Sequence, residues 1–504
     1  MKKIETQVVV IGSGSSGISA AMQLVEHHVS FVLLEKGDKI GGAGKFGAHG
    51  VYGVDSADQK KQHVNYHFSE ALQDMTQQSH YLVNGPLISR VLKKSATTID
   101  WMKQFGLATS LTPNAQPAHL NDQPIYHEFD SFAERLTAWD KMAAIAKKAG
   151  NQILTETAGI DLDYGVNGLK AVIARHKDEG PIRITCQAVI IGDGGYPGNP
   201  EMMRTAFKDA DELMNLGERK ATGDGIAMVQ RIGGDTQHNP ILFAHGCAPS
   251  FNVNPMKRQN AVEALTNLPL LWVNKIGQRF TNEEVVYDFA QWGNVAHAEG
   301  GYYYLIFDQK TVADFKQQQV NWEDAFSRQF TEPGNKPILT VGPLTTLEQD
   351  IDQVIAAGDA VKADSVAALA EKINVPAVQL QQTLATYNQA IADQADSQFA
   401  KQTKFLQFNV AAGPFYAVKE RCAILGTLNG VNVNADLEAL RADRTPIKGV
   451  YVVGNNANGL YSDAYSNFEG IANGFAWISG RLAADGAAHY LAAQAAAKDV
   501  VTQQ

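Results

Sequence analysis

One short motif constrains the fold of this chain more than any other feature: Gly12-Ser13-Gly14-Ser15-Ser16-Gly17, set between an apolar strand and a helix. Residues 7–11 form a β-branched run, and the glycine turn follows at once. Ile18, Ala21, Met22 and Val25 then recur at helical spacing over residues 18–28, and residues 31–34 return as a second apolar strand. Strand, helix and strand in that order make a βαβ unit with a parallel pair. In that context Gly12 permits the tight turn, Gly14 lets the backbone approach a pyrophosphate, and Gly17 allows the helix to pack closely on the strand. The amides that open the helix, at Ser15 and Ser16, face the phosphates. Glu35 follows the second strand about 20 residues on, where a carboxylate binds ribose hydroxyls. A glycine turn that binds nothing is the bland alternative, and strand, helix and acid together weigh against it. The motif itself fits FAD and NAD equally.

Composition narrows the rest. At about 100–200 residues per domain, 504 residues allow two to four domains. A chain that is 45% hydrophobic and 19% charged is an ordinary globular mix, which excludes intrinsic disorder. Forty-three Lys+Arg against 53 Asp+Glu give a formal charge of −10, which lacks the electrostatic footprint of a nucleic-acid binder. Cys186, Cys247 and Cys422 lie far apart without a CxxC pair, which fits a reducing compartment and excludes a thiol–disulfide flavoenzyme. No His, Cys, Asp and Glu cluster has metal-ligand spacing, so no metal is expected. No apolar run approaches the roughly 20 residues that cross a bilayer. The chain is expected to be soluble and cytoplasmic, without membrane insertion.

Residues 58–110 read as helical, ending in Ile99, Trp101, Met102 and Phe105 before Gly106. Residues 160–191 turn to β, with Gly165 and Gly168 at a turn and a closing strand at 188–191. The stretch 238–410 is less regular, with helical pattern at 365–373 and 377–392. Strand character returns at 449–454, followed by a helix to about residue 484 and a fraying Ala/Gln-rich helix over 487–504. With no internal repeat and no linker rich in Gly, Pro or Ser, one domain interrupted by a large insertion fits best.

Further segments carry a resemblance. Gly41-Gly42-Ala43-Gly44, Asp193-Gly194-Gly195, Thr222-Gly223-Asp224-Gly225 and Gly449-Val450-Tyr451-Val452-Val453-Gly454 occur in that order, with Ile99-Asp100-Trp101, Gly277-Gln278-Arg279-Phe280-Thr281-Asn282-Glu283 and Gly413-Pro414-Phe415-Tyr416-Ala417. Together they resemble the fumarate reductase/succinate dehydrogenase flavoprotein family over nearly the whole chain. The resemblance implies an α/β fold: a Rossmann-like FAD-binding domain of residues 1–237 and 411–504, with an inserted α+β capping domain at 238–410. It implies FAD contacts from Gly12, Gly14, Ser15, Ser16, Gly17, Glu35, Lys36, Gly42, Ala43, Gly44, Ala48, Gly50, Gly192, Asp193, Gly194, Asp224, Asn455, Gly470 and Ile471. Some relatives attach FAD through a histidine where this chain has Ala43, so the FAD is expected to be non-covalent.

The chain departs from that pattern where a dicarboxylate would bind. Tyr287 stands at the position of the family's proton-donating arginine, Gly426 at that of a substrate histidine, and residues 458–470 carry neither Arg nor Lys. Two substrate carboxylates would then lie beside Asp463 and Glu469 unpaired, at a cost of several kcal/mol each. Fumarate could be held only if another arginine, such as Arg258 or Arg421, reached the site. Tyr287 is the expected proton donor, with Tyr461 and Tyr465 as alternatives; a buried tyrosine that only packs is the bland reading of Tyr287. Glu263 falls at a proton-relay position, but Thr266 replaces the relay arginine, so a solvated helix face is expected for it. The cap is aromatic at Phe243, Trp272, Phe280, Tyr287, Phe289, Trp292 and Tyr302-Tyr303-Tyr304. Most of these belong to its core, yet such walls suit a flat, ring-bearing substrate. His238 and His245 are candidates to lie near the substrate, with core or surface placement as the bland reading.

The expected function is reduction of an activated C=C bond in a small apolar or aromatic molecule of hydroxycinnamate or vinylphenol type, with NADH or a separate flavin reductase as electron donor. The alternatives are a dehydrogenase of the 3-ketosteroid dehydrogenase type and an electron-transfer flavoprotein subunit.

Overall fold

Four apolar residues in a row leave a strand no face to turn to water, and Val8–Ile11, Phe31–Leu34 and Ala188–Ile191 are each buried along their whole length. The computed structural model describes residues 1–112, 124–236, 239–249, 260–325, 338–465 and 468–502. In it these strands form the centre of a six-stranded sheet ordered Glu438–Leu440, Pro446–Val452, Ala188–Ile191, Val8–Ile11, Phe31–Leu34, Gln152–Leu154. All neighbours run parallel except the edge strand Glu438–Leu440. Val8 stands opposite Phe31 and Ala188, and Ile11 opposite Leu34 and Ile191. Parallel strands covered on both faces read as continuous apolar runs, which is why this sheet is legible in the sequence.

The helix Ser15–Glu26 follows the first strand and packs along the long helix Ile471–Thr502. A Cβ at Gly17 would fall 1.8 Å from the Gly12 carbonyl oxygen, so the helix can start this close to the strand only with glycine there. The break expected near residue 484 is absent; alanine and glutamine favour helix strongly enough to carry one helix through to Thr502. The helical stretch at 58–110 resolves into Ala57–Lys61, Phe68–Gln78 and Gly85–Lys103. The expected β segment forms a four-stranded sheet of Lys2–Glu5, Gly180–Thr185, Gly168–His176 and Thr157–Gly165, with Gly165 paired to Gly168 at the turn.

A second large sheet is centred on Phe415–Leu428, which pairs antiparallel with Tyr302–Asp308, Ala360–Ala363 and Ile241–Ala248. The sequence reading missed this strand. Lys419-Glu420-Arg421 interrupt its apolar pattern at mid-length, yet Glu420 is 0% exposed. The chain therefore crosses the expected boundary at 410 within reach of a sheet whose other strands come largely from 238–410. The helices expected inside that stretch appear as Val366–Lys372 and Ala377–Asp393. Among the described residues, no helix is long and apolar enough to cross a membrane.

Candidate cofactor and active site

Parallel sheets bind ligands in the crevice beyond the carboxyl ends of their strands. Here the loops after Val8–Ile11, Phe31–Leu34, Ala188–Ile191 and Pro446–Val452 bring Gly12–Ser16, Glu35–Lys36, Gly192–Gly194 and Gly454–Asn455 to the wall of one cavity of about 1010 Å³. Its far end is closed by Phe243 and His245 of the strand Ile241–Ala248 and by Tyr465, Phe468 and Glu469.

At the glycine-loop end, called the nucleotide end for the role proposed below, the backbone does most of the work. A Cβ on Gly14 would meet nothing nearer than the Gly41 carbonyl at 4.0 Å, so this glycine leaves bare backbone beside open space. At Gly44 a Cβ would fall 2.1 Å from Ser15 Oγ, which brings the turn at 41–44 against the helix start. Glu35 is held ready: the Gly37 amide donates to its Oε1 at 2.6 Å, and the Ser13 amide to its Oε2 at 3.2 Å. The Ser13 hydroxyl also donates to Oε2 while accepting from the Gly41 amide at 3.0 Å. Trp139 Nε1–H donates to the Ser13 carbonyl at 2.9 Å and pins the loop from outside. Lys36 pairs with Asp224 at 2.8 Å, and Lys220 with Asp38 at 3.1 Å.

Further along, Asp193 accepts from the Gly225 amide at 2.9 Å and from Asn456 Nδ2 at 2.6 Å. Asn456 Oδ1 in turn accepts from the Gly194 amide at 2.6 Å. Burial raises the Asp193 carboxyl above the usual carboxylate range. Asn473 joins the two halves of the wall, accepting from Ser15 Oγ at 2.7 Å and donating to the Gly50 carbonyl at 2.9 Å. These are features a dinucleotide requires: exposed backbone at a helix start, a fixed carboxylate after the second strand, and a cavity of about 1010 Å³.

At the ring end Phe243 and Tyr465 stand with centroids 4.3 Å apart and planes at 43°. His245 meets Phe289 edge-on at 5.0 Å, and burial pushes its pKa down to about 4, so it is neutral near pH 7. Desolvation raises the Tyr465 phenol, which keeps its proton. Three lysines line the cavity among the described residues: Lys36 and Lys220 are ion-paired and Lys39 is exposed without an ion pair, while no arginine lines it.

All the expected cofactor residues line the cavity except Gly17, which packs helix against strand, and Ile471, which is buried in the first turn of the long helix. The three tyrosines separate. Tyr465 lines the cavity. Tyr461 lies beside it, ring centroids 5.8 Å apart, with its hydroxyl buried and without a hydrogen-bond partner among the described residues. Tyr287 is not brought to the cavity wall: it ends the 3-10 helix Glu283–Tyr287, and its hydroxyl donates to the Glu323 carbonyl at 3.0 Å. Glu263, expected on a solvated face, is only 4% exposed in the buried helix Ala261–Thr266. Arg279 of the Gly277–Glu283 motif also stays inside the cap, forked onto Glu283 at 2.8 and 2.7 Å and paired with Asp396 at 2.7 Å. Arg421 is taken by Asp359 and the Pro249 carbonyl. His238 and Arg258 lie outside the described residues. Most cap aromatics form core, with Trp272 stacked on Tyr303 at 4.4 Å and Trp292 Nε1–H donating to Tyr303 at 2.7 Å.

Sequence reasoning missed Asn456 and Asn473, although each sits one or two residues from a position it named. It also missed Tyr126 and Phe132 on the wall, which arrive from a small sheet and a helix start with no motif of their own.

Known proteins resemble this chain over its length. The FAD binding domain family matches residues 7–468. The vinyl phenol reductase of Lactiplantibacillus plantarum is 30% identical over 495 residues, covering 96% of each chain. The NADH:fumarate oxidoreductase of Klebsiella pneumoniae is 24% identical and covers 90% of this chain but 44% of that longer protein. Among solved structures, the 3-ketosteroid delta1-dehydrogenase of Sterolibacterium denitrificans shares the fold with a TM-score of 0.71 at 18% identity, covering 96% of this chain and 99% of that one.

Proposed function

The chain belongs to the FAD binding domain family of flavoproteins, and on that premise we propose that it is an ene-reductase for the activated C=C bond of a small aromatic or apolar molecule, of hydroxycinnamate or vinylphenol type. The observation that carries this reading is the ring end of the cavity: aromatic faces at Phe243 and Tyr465, a neutral imidazole at His245, and no arginine among the described lining residues. A dicarboxylate there would stand beside Glu469 without a cation, whereas a flat ring meets matching surfaces. The full-length likeness to a vinyl phenol reductase supports the same class.

Gly12, Gly14 and the Ser15–Ser16 amides would hold the diphosphate of FAD, Glu35 its ribose hydroxyls, and the wall from Asp193 to Asn473 its ring system. With Ala43 at the wall, the FAD is held without a covalent bond. When bound, the flavin supplies a hydride to one alkene carbon. Tyr465 supplies the proton to the neighbouring carbon through its O–H, and its phenolate recovers a proton from solvent, so hydride plus proton complete the saturation. Residues 238–410 act as the cap that closes over the substrate, and the electrons come from NADH or a separate flavin reductase.

The tyrosine pair Tyr461 and Tyr465 supports a second reading, in which the same site dehydrogenates a ring ketone. Incubating the protein in heavy water with a chemical electron donor and a panel of alkenes separates the two. Vinylphenol or hydroxycinnamate should be saturated with one solvent deuterium on each former alkene carbon, since a chemical donor supplies only electrons and both transferred hydrogens come from solvent. Saturation of none of the panel, with flavin bleached instead by a cyclic ketone, would establish the dehydrogenase.

A further inference from the structure

Arg135 carries a charge the folded chain does not use. It lies in the first turn of the helix Phe132–Lys148 and is 2% exposed. Among the described residues its Nε and Nη2 have no hydrogen-bond partner, and no carboxylate pairs with it. The Phe132 ring stands 4.6 Å from its guanidinium carbon. Burial lowers its pKa to about 10, which still leaves it a cation near neutrality. The contrast with Arg279 is direct, since that buried guanidinium is neutralised by Glu283 and Asp396. An ion buried without a counter-charge is strongly unfavourable, and an apolar residue of similar volume would serve the fold better.

The helix shows where that charge acts. Phe132, Arg135 and Trp139 are spaced i, i+3, i+7 and share one face. Both outer members are located: Phe132 lines the cavity, and Trp139 donates to the carbonyl of Ser13 in the nucleotide loop. With a rise of about 1.5 Å per residue, Arg135 lies about 4.5 Å along the axis from one and about 6 Å from the other. It therefore stands behind the wall between the two, in a dry environment where its field is little screened. Of the lysines that line the cavity, Lys36 and Lys220 already have carboxylate partners, and Lys39 is exposed, where water screens its charge.

We propose that Arg135 is a positioning residue for the cofactor, supplying from behind the wall the positive charge that the FAD diphosphate compensates. This rests on the reading that the cavity holds FAD with its diphosphate at the glycine loop. The apoprotein tolerates the unpaired ion, and the bound diphosphate relieves it.

The test uses Arg135→Met, which keeps the stem and removes the charge, and Arg135→Lys, which restores it. Affinities of the apoprotein for FAD and for riboflavin, which has the ring system but no phosphate, are read by flavin fluorescence. A dianion acting at about 8–10 Å through an effective dielectric of about 20 leads to FAD affinity about 300- to 1,000-fold weaker in Arg135→Met. Riboflavin affinity should be unchanged, the Lys variant should recover most of the loss, and apo Arg135→Met should melt no lower than wild type. Equal losses for FAD and riboflavin, an unchanged FAD affinity, or a Met variant that fails to fold would each overturn the assignment. Wild-type apoprotein that binds no FAD would instead sink the reading of the cavity on which this one rests.

Discussion

The two ends of the cavity are built by different means. The nucleotide end is mostly backbone, from loops fixed by the central sheet: Gly14 leaves open space, and Glu35 is locked by Gly37 and Ser13. The ring end is side chain, assembled from segments more than 200 residues apart: Phe243 and His245 from one strand, Tyr465 from a loop near the long C-terminal helix. A backbone cradle tolerates few substitutions, because any Cβ enters the ligand's space. An aromatic wall can be exchanged one residue at a time without disturbing the cradle. The cofactor can thus stay fixed while the substrate changes.

The largest expected effect tests the cradle. Gly14→Leu places a side chain where the phosphates are proposed to lie and should leave the purified protein colourless, with the fold retained by circular dichroism. Yellow protein with stoichiometric flavin would show that the nucleotide lies elsewhere. At the other end, Tyr465→Phe keeps the ring against Phe243 and removes the proton. Alkene-dependent reoxidation of reduced flavin should slow by about 10²–10⁴-fold, the usual contribution of a positioned general acid. Reduction of the flavin by the electron donor should be unaffected. If only Tyr461→Phe or Tyr287→Phe slows reoxidation, the donor is that residue.

Phe243→Ala removes half of the aromatic pair and should raise KM for a vinylphenol about 10-fold, while a small aliphatic alkene such as acrylate changes little. Equal losses for both would mean that Phe243 supports the cavity rather than the substrate ring. The smallest effect concerns pH. His245 is buried neutral, its pKa lowered from 6.5 to about 4, so the unfolded chain binds the extra proton between those values. Stability contributed by this group is complete above pH 6.5 and is lost as pH falls toward 4, by up to about 1.4 kcal/mol per pH unit. Denaturant titrations of His245→Leu should show a shallower acid limb than wild type; an identical limb would mean that the imidazole is solvated.

This asymmetry also explains what could be read from the sequence. The nucleotide end follows from local rules, a glycine turn after an apolar strand and an acid after the next, so the residues from Gly12 to Glu35 were legible in order. Tyr465 was reachable only through resemblance. Tyr287, assigned by gapless alignment, instead ends a 3-10 helix with its hydroxyl on the Glu323 carbonyl. Alignment places a residue on the chain, while the turn that precedes it decides where its hydroxyl points. The strand Phe415–Leu428 escaped notice because three charged residues at its centre look like a loop, whereas the sheet buries Glu420 completely. Arg135 left no signal at all, since a lone arginine in an amphipathic helix reads as a solvated face.

The ring end is proposed to serve an aromatic alkene and not a dicarboxylate. Anaerobic stopped flow with the dithionite-reduced protein tests it most directly, following the return of oxidised-flavin absorbance after mixing with 4-vinylphenol or with fumarate at equal concentration. Rapid reoxidation by 4-vinylphenol with fumarate inert is the expected result. Rapid reoxidation by fumarate, with 4-vinylphenol inert, would show that the cavity serves a dicarboxylate instead.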